Sequence, residues 1–78
     1  MPTVLRVGPY RFYFFSGDRN EPPHIHVKRD KADAKFWLAP LRLARQIGFA
    51  PHELRTIEKI ISDNEQLLLE AWRDAFNN

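Results

Sequence analysis

A chain of 78 residues with no cysteine can bury one modest core, and neither disulfides nor a thiolate metal site can staple it. No apolar run approaches the ~20 residues of a membrane span, and the opening Met1-Pro2-Thr3-Val4-Leu5-Arg6 lacks the apolar centre of a signal peptide, so the expectation is a cytoplasmic chain, neither secreted nor membrane-spanning. The net charge of +2 is too mild to mark a nucleic-acid protein, yet it is unevenly spread: residues 1–45 hold nine cations and four carboxylates (+5), and residues 46–78 hold three and six (−3).

In chain order, Thr3 to Val7 alternates as a short strand, Gly8-Pro9 interrupts it, and Tyr10 to Phe15 resumes with β-favouring aromatics, which predicts a hairpin. Ser16-Gly17-Asp18-Arg19-Asn20 is turn chemistry. In the stretch Glu21-Pro22-Pro23-His24-Ile25-His26-Val27-Lys28, Pro22-Pro23 forces extended geometry before a strand whose polar side chains His24, His26 and Lys28 recur at every second position. After a turn at Arg29-Asp30-Lys31-Ala32, Ala34 to Leu38 alternates as a partner strand. If Ala34, Phe36 and Leu38 face inward with Ile25 and Val27, then His24, His26, Lys28, Lys35 and Trp37 share one open face.

Pro40 fits a helix start, Leu41, Leu43, Ala44 and Ile47 supply apolar spacing, and Gly48 fits just past the end, so a short helix is predicted there. From Pro51, the residues Leu54, Ile57, Ile61, Leu68 and Trp72 make the apolar stripe of an amphipathic helix of about 25 residues. Glu53 suits its positive end, Ala50 is a poor cap, and Asn64 interrupts the stripe with an amide that needs a partner if buried. The expected fold is therefore α+β: one domain over residues 1–78, with a β-rich basic half (1–39) and a helical half (40–78). Its small antiparallel sheet of about four strands is packed on one face by a short and a long C-terminal helix. A domain this small also invites a partner subunit.

Three readings fit the histidine strand. His24 and His26 can be the exposed polar positions of a half-buried strand. They can be two ligands of a metal ion, with Glu21 or His52 as further donors. Or they can do acid–base work on a phosphate, with Lys28, Lys35, Arg6 or Arg11 neutralising charge. On the third reading His24, His26 and Lys28 are the catalytic set of a metal-independent ribonuclease. Arg6, Arg11, Tyr13, Lys35 and Trp37 then form a nucleic-acid surface on which the rings stack on bases. No cofactor and no metal are expected; the metal alternative takes His24, His26 and Glu21. No phosphate-cradling Gly-rich loop, nucleophile elbow or serine triad pattern is present, which removes the common nucleotide-binding and hydrolase classes.

The opening Met1 to Arg6, the block Glu21 to Val27, the strand Ala34 to Leu38 and His52-Glu53-Leu54 together resemble domain of unknown function family 4160, small bacterial proteins, over nearly the whole chain. The resemblance implies a toxin-type member of a two-gene toxin–antitoxin module. Its partner would be a cognate small antitoxin-type protein encoded by a neighbouring gene, and its target RNA or translation complexes. The alternative is a non-enzymatic module that binds protein or nucleic acid, or a small metal-binding protein.

Overall fold

The computed structural model describes residues 3–15, 17 and 20–76, so Ser16, Asp18 and Arg19 of the predicted turn, with Met1 and Pro2, lie outside the described residues. Strands β1 (Thr3–Val7), β2 (Tyr10–Tyr13), β3 (His24–Arg29), β4 (Ala32–Leu38) and β5 (Leu41–Ile47) form one antiparallel sheet in sequential order. Helices α1 (Pro51–Asp63) and α2 (Glu65–Phe76) follow. The fold is α+β with two C-terminal helices, as the segregated pattern predicts, but the sheet has five strands rather than four. The β1–β2 turn uses Gly8 at φ 56° and the β3–β4 turn Asp30 at φ 54°, a left-handed geometry that glycine takes freely and aspartate tolerates.

The fifth strand replaces the predicted short helix. Lys35 lies opposite Arg45 and Phe36 opposite Leu43, so Ala44 is an extra residue on β5. That bulge breaks the period of two and gives Leu41, Leu43, Ala44 and Ile47 a spacing that imitates a helix. Pro40, expected at a helix start, sits with Ala39 in the two-residue loop before β5, joined to it by a cis peptide bond. Gly48 does end the element, but as the exit of a strand. Its φ is 87°, and a Cβ there would stand 3.1 Å from the Ala32 Cα, so the chain turns where any side chain would be strained and crowded.

The predicted long helix is two. Asn64 separates α1 from α2 at φ −119°, ψ 21°, and its side-chain amide donates to the Ile60 carbonyl at 2.8 Å. Its backbone N–H donates to Ile60 and Ile61, and its carbonyl accepts from Leu68 N–H at 3.0 Å. The polar interruption of the stripe is thus where the helix breaks and where its freed carbonyls find donors. Ile57, Ile61, Leu68 and Trp72 are buried against Phe12, Ile25, Val27, Phe36 and Leu38, while Leu54 is half-buried at the margin. The apolar stripe therefore keeps its predicted role across the break.

One polar network pins α1 to the sheet. On β3 Arg29 follows Ile25 and Val27 on the helix-covered face. It meets Glu53 with Nε to Oε2 at 2.8 Å and Nη2 donating to Oε1 at 3.0 Å. Glu53 also accepts from Ala50 N–H (3.2 Å) and from the Tyr10 hydroxyl (3.4 Å). With alanine at the cap position, only the glutamate half of a reciprocal capping arrangement forms. These contacts hold the carboxyl below its ordinary range, the Arg29 hydrogen bond first and the Ala50 amide second.

Candidate functional site

The sheet face turned away from the helices is built by alternation. Because Ile25, Val27, Ala34, Phe36 and Leu38 enter the core, the residues between them point the other way, and the register carries that order into the neighbouring strands. Arg6 lies opposite Arg11, and Arg11 opposite Lys28. Tyr13 lies opposite His26, and His26 opposite Lys35. His24 lies opposite Trp37, Trp37 opposite Arg42, and Lys35 opposite Arg45. Six cations, Arg6, Arg11, Lys28, Lys35, Arg42 and Arg45, therefore share this face with Asp33, the one carboxylate that strand alternation brings to it among the described residues.

The two histidines occupy the predicted face but are not open. His24 is 0% and His26 3% exposed. His26 stacks on Tyr13 (ring centroids 5.4 Å apart, 23° between planes) and meets Phe15 edge-on at 4.6 Å. His24 meets His26 at 5.1 Å, Trp37 at 5.5 Å and Trp72 of α2 at 4.9 Å. Aromatic side chains cover the imidazoles because rings at facing strand positions pack over one another, and because Trp72 reaches His24 as well as Phe14. The expectation that both stand on an open face, or are merely exposed polar positions, is corrected accordingly. Both carry packing. His24 Nδ1–H donates to the Pro22 carbonyl at 2.9 Å, and Leu38 N–H donates to Pro23 at 3.0 Å, so the Pro-Pro segment is tied to the sheet beside the imidazole.

Around this layer the charges are ordered. Lys35 Nζ lies 2.6 Å from Glu21 Oε1 and 4.6 Å from the Trp37 ring centroid, an ammonium held between a carboxylate and an aromatic face. The Arg11 guanidinium lies 4.7 Å from the Tyr13 centroid, and its Nε donates to Thr3 Oγ1 at 2.9 Å. Burial, then Asp33, pushes the Tyr13 hydroxyl above its ordinary value.

The structure brings the predicted residues Arg6, Arg11, Lys28, Lys35 and Trp37 to one face and seats His24, His26 and Tyr13 beneath it; Tyr13, only 4% exposed and stacked on His26, does not offer the open ring expected for base stacking. Glu21 lies 3.7 Å from His24 Nδ1, yet among the described residues no group of three or more His, Cys, Asp or Glu side chains is placed to hold a metal ion. His52 is exposed on α1, away from the sheet face. Sequence reasoning missed Arg42 and Arg45, which the helix assignment hid. It also missed the cover that Phe15 and Trp72 give the histidines; reading residues 41–47 as a bulged strand beside Ala34 to Leu38 would have recovered the two arginines.

A sequence model of the family described as Domain of unknown function (DUF4160) matches residues 10–73. No curated protein and no solved structure matches the chain. Among the described residues no helix is long and apolar enough to cross a membrane.

Proposed function

The chain belongs to this family, and from that premise we propose that it is the toxin-like component of a two-gene pair, acting in the cytoplasm by holding RNA, free or in a translation complex, on its basic sheet face. What supports the reading is the concentration of six cations on one face around the partly exposed ring of Trp37, the combination that tracks a phosphate backbone and stacks a base. Of the two ways to use that face, binding without cleavage fits the geometry better. An attacking 2′-hydroxyl must approach a general base within about 3 Å, and the cover over His24 and His26 keeps solvent from both rings. The partner protein masks the same cations, so its own surface there is acidic.

Two measurements test the proposal. Labelled single-stranded RNA titrated at several salt concentrations should give an affinity falling with a slope of about −0.7 per phosphate contacted, and Arg45→Gln should make the slope shallower by roughly that amount. Expression of the protein alone should arrest growth, and co-expression of the neighbouring gene should relieve the arrest. RNA binding that is absent or insensitive to salt removes the RNA reading, and growth without arrest removes the toxin reading.

A further inference from the structure

The row Arg6, Arg11, Lys28 repeats one sign of charge where neighbouring strands ordinarily alternate it. Each lies directly opposite the next on β1, β2 and β3, an arrangement that costs stability. Three cations elsewhere meet carboxylates: Lys35 has Glu21, Arg29 has Glu53 and Asp30, and Lys59 has Asp63. Among the described residues none of the three in the row has a carboxylate within ion-pair distance. Between them opens a shallow depression of ≈ 250 Å³, with Pro9, Arg29 and Asp30 at its rim. Asp30 is occupied by Arg29 at 3.3 Å. The next position of the row, opposite Lys28, is Asp33, so three cations and one carboxylate leave a local charge of +2.

We infer that this row is a subsite for a phosphate monoester at the end of a single-stranded RNA, a refinement that rests on the RNA reading above. A monoester carries about −1.5 to −2 at neutral pH and matches the local charge, whereas an internal diester carries a single negative charge. Arg11 is pre-set for the task. Its bond to Thr3 and its position over Tyr13 fix the guanidinium plane before a ligand arrives, and a fixed fork is what recognises phosphate through two parallel bonds. The strands give the direction of the rest of the ligand. Four residues along β3, about 13 Å, separate Lys28 from His24, whose cross-strand neighbour is Trp37. A strand anchored by its end phosphate at the row passes Tyr13 and Lys35 and brings its bases toward Trp37.

The experiment compares three oligonucleotides of one sequence, carrying a 5′-phosphate, a 3′-phosphate or hydroxyls at both ends, titrated against the full chain. A phosphoserine peptide is included as competitor. One phosphorylated end should bind about tenfold tighter than the hydroxyl form, and which end does so identifies the source of the phosphate. In Arg11→Gln that preference should collapse toward unity, whatever happens to overall affinity. Lys28→Gln, an exposed position, should repeat the collapse without disturbing the Thr3 and Tyr13 contacts. RNA that binds with no preference for a phosphorylated end, or a preference that survives both substitutions, overturns the inference and leaves the RNA reading in place. If the peptide displaces phosphorylated RNA, and itself binds tighter than any of the three oligonucleotides, the subsite belongs to a protein ligand and the inference fails. If no oligonucleotide binds, both readings fall together.

Discussion

Arg29 on β3 and Glu53 on α1 are joined at two points, Nε to Oε2 at 2.8 Å and Nη2 to Oε1 at 3.0 Å, and the Tyr10 hydroxyl closes on the same carboxylate. Glu53 therefore titrates below its ordinary value of 4.5, so its contribution to stability is complete above that pH and is lost as pH falls through the lowered value in the folded state. Melting temperature followed from pH 6 downward should drop in the wild type below about 4.5. Glu53→Gln should start lower and lose less over the same window. An identical pH profile in the variant would show that another carboxylate governs acid sensitivity.

Tyr10 and Tyr13 set the opposite limit. Burial first, then the carboxylates of Glu53 and Asp33, raises their hydroxyls above 10.0, so the fold favours the neutral phenols and stability falls as pH rises from the ordinary value through the raised one. Tyr10→Phe and Tyr13→Phe should each flatten the alkaline limb of the melting profile. A limb as steep in both variants would locate the alkaline weakness elsewhere.

Leu68→Ala removes a side chain with no exposed surface from the contact between α2 and the sheet. A loss of about 2–5 kcal/mol is expected in chemical denaturation, much of what so small a domain has. A midpoint within experimental scatter of the wild type would mean that the cavity collapses without cost.

His24→Ala should also lower stability, by about 0.5–3 kcal/mol or several degrees of melting temperature. The imidazole fills space among Trp37, Trp72 and His26 and donates to Pro22, and alanine leaves that carbonyl and those rings without it. Loss of the proposed toxicity in this variant would therefore have meaning only beside its melting curve. A fully stable, inactive His24→Ala would restore the case for the imidazole as a chemical group.

Gly48→Ala tests the exit from β5. At φ 87°, with Ala32 Cα 3.1 Å from the added carbon, the substitution should cost more than about 1 kcal/mol, against a small gain wherever alanine is tolerated. A neutral result would require the Ala32 turn to yield.

The hairpins, the inward set Ile25, Val27, Ala34, Phe36 and Leu38 and the helical stripe are legible in the sequence because each follows one period over several residues. Where a single residue interrupts the period, the pattern misleads. Ala44 as a bulge turns a strand into an apparent helix, and Asn64 as a break leaves one stripe running over two helices. The shared face of the histidines with Lys35 and Trp37 follows from alternation, but their burial does not. Burial depends on Phe15, just beyond β2, and on Trp72, which lies 48 residues after His24, and local spacing says nothing of either contact.

The separation of charge between sheet face and helices has a further consequence in solution. With six cations and one carboxylate among the described residues brought to the open face by the strands, and a net −3 in residues 46–78 that hold both helices, positive charge is concentrated on the side of the sheet away from the helices. A polyanion approaching from any side exerts a torque that rotates the cations toward it before contact, so fewer collisions are wasted on the wrong orientation. This advantage is kinetic and reaches only about 10 Å at 0.1 M ionic strength. Added salt should thus slow association more than it speeds dissociation.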